Sequence, residues 1–388
     1  VGRLLEEEDS YGHDEPSYIV GFEHEYPILD RELRLSPERI KKRVLASIPH
    51  STIELAAHQV ETTSSQLSDI RGAGWQYVYA DLALTEQTVL REVQKSGSHI
   101  LRIGAVPHVK IDTVKPSRSY EKYIRSPSWH RENQREGLDT SIGHLENVDC
   151  SNPYVVGLCN SVQVTIDAKS FTDAIDKLNR LSMISPMAVA LAGNSRFLEC
   201  QDTGFSDVRF LAWATSHDSR SEEEVSAGRN PRVGLPDEYY GGMGDYFSRI
   251  LEWPFVLNHE DNVPHAFDVG QGLFWREARL KWFREKSRVG VEFRPISLQP
   301  TLEEDLGVMA FVIGRLVWSQ LYNEEMLPID KVHANRRATE KSGFQSVLYF
   351  RRENGDIATS RSASSLDLEI DRAVRGLASI ECEETLVK

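Results

Sequence analysis

The sequence has 388 residues, with 45 Lys or Arg against 59 Asp or Glu, and its formal net charge is −14 at neutral pH. Duplex nucleic acid is bound mainly by surplus Lys and Arg, so a chain this acidic is not expected to bind it. The composition is 40% hydrophobic and 27% charged, which is typical of a soluble globular protein. The longest apolar run, residues 183–193, is shorter than the roughly 20 residues that cross a bilayer, so no membrane span is expected.

The N-terminus and the cysteines both favour a cytoplasmic protein. Residues 1–17 are rich in Asp and Glu, the opposite of the basic start of a signal peptide, and are predicted to form a flexible acidic leader. Residues 18–388 contain no repeat and no Gly/Ser-rich or Pro-rich linker, so a single domain is predicted. The cysteines lie far apart without a CxxC pair, and reduced thiols are expected. They are Cys150, Cys159, Cys200 and Cys382.

The N-terminal part of this domain alternates predicted strands and helices. Residues 18–26 are rich in β-branched and aromatic side chains, which predicts a strand. Ser36, followed by Pro and Glu, is expected to cap a helix that runs to about residue 48. A second strand is predicted over 58–63, a long helix over 76–94 and a third strand over 100–106.

The remainder of the chain continues the same mixture. Residues 160–167 alternate polar and apolar side chains, which predicts a strand with one face in a core. A helix is expected over 171–192, broken near its Pro, and the polar stretch 216–236 is expected to be a mobile loop or lid. A further strand is predicted over 289–296. Pro, Thr and two early Glu residues predict a helix over 301–323. The predicted fold class is therefore α+β.

The first predicted strand carries two acids on one face. Glu23 and Glu25 share that face because successive side chains of a strand point to opposite sides. Their mutual repulsion is tolerable on a wet surface or where a cation lies between them. Oxygen ligands of this kind suit Mg²⁺ or Mn²⁺ rather than zinc. A solvated strand face is the alternative, and for this pair alone it is favoured.

Other predicted strands repeat the pattern more weakly. Glu61 lies in the second strand, with Glu54 seven residues upstream. Glu292 and Arg294 share a strand face, where Arg offers a planar fork for phosphate or carboxylate. For that pair alone a salt-bridged strand is favoured, and Gln163 alone is interpreted as a polar rim residue. None of these features is specific by itself.

Together, these segments resemble the ATP-dependent carboxylate-amine ligases that include glutamate–cysteine ligase, whose fold is related to that of glutamine synthetase. The similar motifs occur in the family's order over roughly residues 18–340. They are GFEHEYPILD, HQVETTS, ILRIGAVPHVKIDTVKPSRSYEKYI, CNSVQVTID, ALAGNSRFLECQDTGFSDVRFLAW, LFWREARL and VGVEFRPISLQPT. The resemblance implies a mostly antiparallel curved sheet, the half-barrel of glutamine synthetase, flanked by helices.

The resemblance also implies site residues and the cofactors ATP and Mg²⁺, with Mn²⁺ as an alternative. The implied metal ligands are Glu23, Glu25, Glu61, Glu292 and, more weakly, Glu54. The implied catalytic arginines are Arg294 and Arg209. The implied nucleotide contacts are Gln163, Arg294, Arg276 and Arg279, the last two being equally interpretable as surface charges. The implied substrate contacts are Arg209, Trp213, Arg118 and Thr203.

The implied reaction joins a carboxylate, by default the glutamate γ-carboxylate, to an amine through an acyl phosphate. The stretch 216–236 differs from the short W-T-D-x-D loop of plant-type relatives. This favours an acceptor other than cysteine, although cysteine remains the default. A catalytically silent ligase-like binding protein and a phosphotransferase of related fold are the alternatives. The expected partners are small-molecule substrates, and the expected state is a monomer or homodimer.

Overall fold

The computed structural model describes residues 18–118, 121–134, 141–253, 270–272, 274–283 and 288–382. The predicted acidic leader, residues 1–17, lies outside the described residues. Within them, no helix combines the length and the apolar character that a membrane crossing requires.

A curled antiparallel sheet, a half-barrel, forms the centre of the fold. Over the described ranges it has eight strands, six of them in the order β2-β3-β1-β6-β10-β9, with β4 and β5 also paired to β1. All of its pairings are antiparallel. The strands are β1 Ile19–Leu29, β2 Ser51–Ile53, β3 Gln59–Thr63, β4 Ser68–Asp69, β5 His99–Ile100, β6 Ser161–Ala168, β9 Ala278–Phe283 and β10 Arg288–Ser297. The two-stranded pairs are β7 Phe197–Leu198 with β8 Gln201–Asp202, and β11 Val347–Arg351 with β12 Ile357–Arg361.

Helices cover the apolar face of this sheet, which confirms the predicted α+β class and curved sheet. Phe22, Val164 and Phe293 point into the main core from β1, β6 and β10. There helix α4, Phe171–Ala192, packs against β10, and helix α8, Leu302–Leu321, packs against α4. Phe22 also meets Trp75 of helix α2, Gly74–Gln94, edge-on, with ring centroids 5.8 Å apart. The helices are α1 Glu38–Ser47, α2 Gly74–Gln94, α3 Glu121–Glu132, α4 Phe171–Ala192, α5 Arg209–Ser216, α6 Glu222–Ser226, α7 Met243–Leu251, α8 Leu302–Leu321, α9 Ile329–Ser342 and α10 Ser362–Ser379.

Two helix predictions were wrong in detail. Pro37, not Ser36, is the N-cap of α1, and no side chain caps this helix; the Ser36 N–H instead donates to the Ile28 carbonyl of β1 at 2.9 Å. Helix α4 is continuous through Pro186 rather than broken there. Nearly all of α4 is buried, so its packing outweighs the roughly 3 kcal/mol that an internal Pro costs.

One further segment also differs from the expectation. The strand predicted over 100–106 is reduced to β5, because Arg102 turns away to pair with Glu86 at 2.7 Å and with Asp305. The stretch 216–236, predicted to be a mobile loop or lid, is mostly irregular backbone. It contains the short helix α6, which has a complete capping box, and it buries Arg232 and two nearby apolar residues.

Candidate active site

Carboxylates line the sheet face opposite the helix-covered core. Glu23 and Glu25 alternate along β1 with the buried Phe22, so they point away from that core. The strand register places Glu25 opposite Glu61, and Glu23 opposite Gln163. The next pairing across the sheet brings Thr165 of β6 opposite Glu292. We call the acids of this face, together with the nearby Glu54, the carboxylate row; they are Glu23, Glu25, Glu54, Glu61 and Glu292.

One end of the row is a group of three acids, Glu25, Glu54 and Glu61, which we call the acid-rich end. One oxygen from each lies within 4.8 Å of the other two. Burial, and then repulsion by Glu54, raises the pKa of Glu25 to about 8. Burial and the charges of Glu23, Glu54 and Glu25 raise the pKa of Glu61 well above its usual value. Crowded oxygen ligands that resist ionisation without a cation fit Mg²⁺ or Mn²⁺.

Glu54 reaches this group because a buried lysine fixes its backbone. Lys41 of α1 is fully buried, and its ammonium donates to the Glu54 carbonyl at 3.3 Å and to the Ala56 carbonyl at 2.8 Å. These bonds hold the segment between β2 and β3 against the sheet.

The other end of the row, Glu23 and Glu292 with the cations of β9, is the cation-paired end. Lys281 Nζ contacts Glu23 and lies 2.7 Å from Glu292 Oε1, while Arg279 Nε contacts the second oxygen of Glu292. Burial alone would raise the pKa of Glu292, but Arg279, Lys281 and Arg294 outweigh it and hold that pKa well below its usual value. These two acids therefore have cations supplied by the protein itself.

Gln163 and Arg294 join the two ends. The Gln163 amide donates to Glu25 at 3.0 Å, and the Arg294 Nε donates to the Gln163 carbonyl oxygen at 3.2 Å. The same Arg294 nitrogen lies 3.4 Å from Glu292. Arg294 also lies over Trp275, with its guanidinium carbon 5.5 Å from the ring centroid, and Trp275 stacks on Trp213 at 4.9 Å. The row thus continues into an aromatic wall.

Arg209 does not join the row. Its side chain is 0% exposed. It donates to the carbonyl oxygens of Asn160, at 3.2 Å, and Pro295, and it pairs with Asp207 at 3.3 Å. These bonds tie α5 to the ends of β6 and β10. The geometry is that of a structural arginine rather than of a clamp on a substrate.

Thr203 and Arg118 also lie away from the row. The buried Thr203 hydroxyl donates to the Arg196 carbonyl at 2.6 Å and stabilises a turn. Arg118 is exposed, and its backbone N–H donates to Glu38 at 3.2 Å.

The two arginines of FWREAR have different partners. Arg279 contacts Glu292 in the row. Arg276 instead donates to the Leu235 carbonyl at 2.8 Å and to the Pro231 carbonyl at 3.3 Å, and so holds the end of the 216–236 segment.

Sequence reasoning missed Lys281. Its signal was present: Lys281 follows Arg279 by two residues in ARLKWF, the spacing that places two cations on one face of a strand. Pairing of β9 with β10, which sets Arg279 opposite Glu292, turns that face toward the carboxylates.

A family model matches the chain along most of its length. Residues 19–363 match the family described as glutamate-cysteine ligase family 2 (GCS2). The putative glutamate–cysteine ligase 2-3 of Rubrobacter xylanophilus is 22% identical over 381 residues, covering 96% of this chain and 87% of that protein. The glutamate–cysteine ligase catalytic subunit of Mus musculus is 24% identical over 242 residues, covering 50% of this chain and only 38% of that protein.

Solved structures share the fold at low identity. The glutamate–cysteine ligase of Francisella tularensis in complex with AMP superposes with a TM-score of 0.60 and 11% identity, over 97% of this chain and 81% of that one. A bifunctional glutathione synthetase from Pasteurella multocida gives a TM-score of 0.56 and 10% identity, over 100% of this chain and 47% of that one. Because the family match spans most of its length, the chain belongs to glutamate-cysteine ligase family 2.

Proposed function

We propose that this protein is an ATP-dependent ligase that joins a carboxylate to an amine through an acyl phosphate. The carboxylate row, with cations at one end and crowded acids at the other, is the observation that carries the proposal. A carboxylate that attacks a polyphosphate brings anions together. The protein must therefore supply positive charge and alignment more than covalent chemistry.

Glu25, Glu54 and Glu61 are the residues that would hold Mg²⁺ or Mn²⁺. Their donor set contains only carboxylate oxygens, and the raised pKa values of Glu25 and Glu61 reflect charge that a divalent ion would neutralise. When bound, the ion would screen and orient the phosphate oxygens of the nucleotide. The AMP in the Francisella tularensis ligase supports nucleotide binding by this fold.

Arg294 is the residue that we assign to the transferring phosphoryl group. It is nearly buried, and it is oriented by Gln163 on one side and by Glu292 on the other. Burial, and then the neighbouring Arg279, lower its pKa, yet a guanidinium stays protonated at neutral pH. A charged planar fork in a dry site suits the oxygens of a phosphoryl group in transit.

The reaction then has two steps. A carboxylate oxygen of the acid attacks the γ-phosphorus of ATP, the bond to the bridging oxygen breaks, and ADP leaves. The amine attacks the acyl carbon, the acyl–oxygen bond breaks, phosphate leaves, and the nitrogen loses a proton. The cations at Arg279, Lys281 and Arg294 stabilise the negative charge that develops in both steps.

The family supports glutamate as the acid and cysteine as the default amine. The 216–236 segment is the region that sets this chain apart. It is anchored by Arg276 close to Trp275 of the aromatic wall, so its different sequence would change the acceptor side of the site. We therefore include amines other than cysteine in the test.

The test is mass spectrometry of products after incubation with ATP, Mg²⁺, glutamate and a panel of amines, with ADP measured in parallel. A product with the mass of glutamate plus amine minus water, formed with stoichiometric ADP, is the expected result. ADP formed with an acid or a guanidino compound alone, without an amide, would identify a phosphotransferase. Nucleotide binding without ADP would identify a binding protein, and either outcome would overturn the proposal.

A further inference from the structure

Lys281 lies where two carboxylates from separate strands converge. Glu292 belongs to β10, next to β9, whereas Glu23 belongs to β1, with β6 between β1 and β10. Lys281 Nζ contacts both acids, at 2.7 Å from Glu292 Oε1. Two carboxylates that converge from separate strands on one point form the kind of oxygen site that a divalent cation occupies. Here the point is taken by a side chain.

The negative charge at this end is already matched by side chains. Glu23 and Glu292 face two cations of the same strand, Lys281 and Arg279, and Arg294 of β10 lies 3.4 Å from Glu292 as well. A divalent ion placed between the same carboxylates would add two positive charges beside a fixed ammonium and a guanidinium. At such distances like charges in a partly buried site repel strongly. The acid-rich end differs, since three carboxylates meet there.

We propose that Lys281 is a built-in cation that takes the place of one divalent ion between Glu23 and Glu292, so that exchangeable metal binding is confined to the acid-rich end. The inference rests on the proposed function, because it concerns how the same site neutralises a polyphosphate. An ammonium on a covalent tether neutralises one charge permanently and independently of the Mg²⁺ concentration. The cation-paired end then carries its positive charge whether or not metal is present, and only the acid-rich end binds exchangeable metal.

The first test counts bound Mn²⁺ by electron paramagnetic resonance in the absence of nucleotide and substrates. The variants are Lys281→Met, which removes the charge, and Lys281→Arg, which keeps it. We expect Lys281→Met to bind one more Mn²⁺ per chain than the wild type, and Lys281→Arg to match the wild type. The extra ion should disappear in the double variant Lys281→Met/Glu292→Gln. Equal counts in Lys281→Met and the wild type would overturn the proposal.

The second test uses the unaltered protein and asks whether metal displaces the lysine. Acetylation of Lys281 by acetic anhydride is followed by mass spectrometry with and without saturating Mg²⁺. Lys177, which pairs with Asp173 at 3.0 Å outside the row, is the reference. We expect Lys281 to stay as protected with Mg²⁺ as without it. A several-fold rise in its acetylation on adding Mg²⁺, with Lys177 unchanged, would show that the ion expels the ammonium and would overturn the proposal.

Neither measurement uses ATP or turnover. A protein that shows the expected metal counts but forms no amide would contradict the proposed function alone. A protein that forms the amide but binds no additional Mn²⁺ as Lys281→Met would contradict the lysine inference alone.

Discussion

The two ends of the carboxylate row differ in how the negative charge of their acids is neutralised. At the cation-paired end, β9 provides Arg279 and Lys281, and the pKa of Glu292 is held well below its usual value. At the acid-rich end, burial and mutual repulsion raise the pKa of Glu25 to about 8. Carboxylates on one face of one sheet can thus be neutralised by side-chain cations of the protein, or remain available to bind a cation. Only carboxylates of the second kind would make the activity depend on the concentration of divalent ions.

Glu61→Gln should separate activity from stability at the acid-rich end. It removes one proposed metal ligand, so we expect ADP release to fall by about 10³-fold, equivalent to about 4 kcal/mol. It also removes the buried member of three mutually repelling acids, so the metal-free protein should become more stable by about 1 kcal/mol. Steady-state kinetics and urea unfolding in EDTA measure the two effects. Glu353→Gln, at an exposed carboxylate, is the control and should change neither.

Glu292→Gln should have the opposite effect on stability. It leaves Arg279 and Lys281 without their shared carboxylate, and loss of one partner from a buried ion pair costs about 3 to 5 kcal/mol. Urea unfolding of the metal-free protein measures this loss. Adding Arg279→Met to Glu292→Gln should recover about 1 to 2 kcal/mol, because Arg279 is removed together with its partner Glu292, whereas Lys281 keeps its contact with Glu23. If the two substitutions were simply additive, the cation-paired end would not be a coupled unit.

Arg294→Lys tests the residue that touches both ends. A lysine keeps the charge but loses the planar fork, and it cannot reproduce the bond from Arg294 Nε to Gln163 at 3.2 Å. We expect kcat to fall by about 10²-fold with little change in the KM for ATP, since the contact that is lost is strongest in the transition state. A change confined to the KM of the amine would instead place Arg294 on the acceptor side.

Local sequence pattern was enough to predict the central strands and to place Glu23 and Glu25 on one strand face, whereas the curved antiparallel sheet was predicted from the family resemblance. The pattern of β1 placed Glu23 and Glu25 together, and each of β3, β6 and β10 lies within three residues of its predicted bounds. The start of α8 was equally readable, because Thr301 and Glu304 form a capping box between neighbours in sequence. These features depend on local spacing, which a single sequence displays.

Partners that are distant in sequence could not be predicted in this way. Lys281 meets Glu23 across 258 residues, so the division of the row into two ends appears only when the sheet is assembled. Arg209 reads as a substrate clamp by resemblance, yet its carbonyl partners Asn160 and Pro295 come from two other strand ends. Charge alone does not distinguish an arginine that binds a ligand from one that ties strands together.

Arg276→Gln is expected to have the smallest effect, and it tests whether Arg276 belongs to the cation-paired end. Arg276 lies three residues before Arg279, but it donates to the Leu235 and Pro231 carbonyls rather than to a carboxylate. Arg276→Gln should therefore cost about 1 to 2 kcal/mol of stability, as expected for lost bonds from a charged donor. Because no acid of the row loses its partner, kcat should stay within about threefold of the wild type, whereas the KM of the amine should rise as the 216–236 segment loosens. A fall in kcat as large as that of Arg294→Lys would mean that the cation-paired end extends to Arg276.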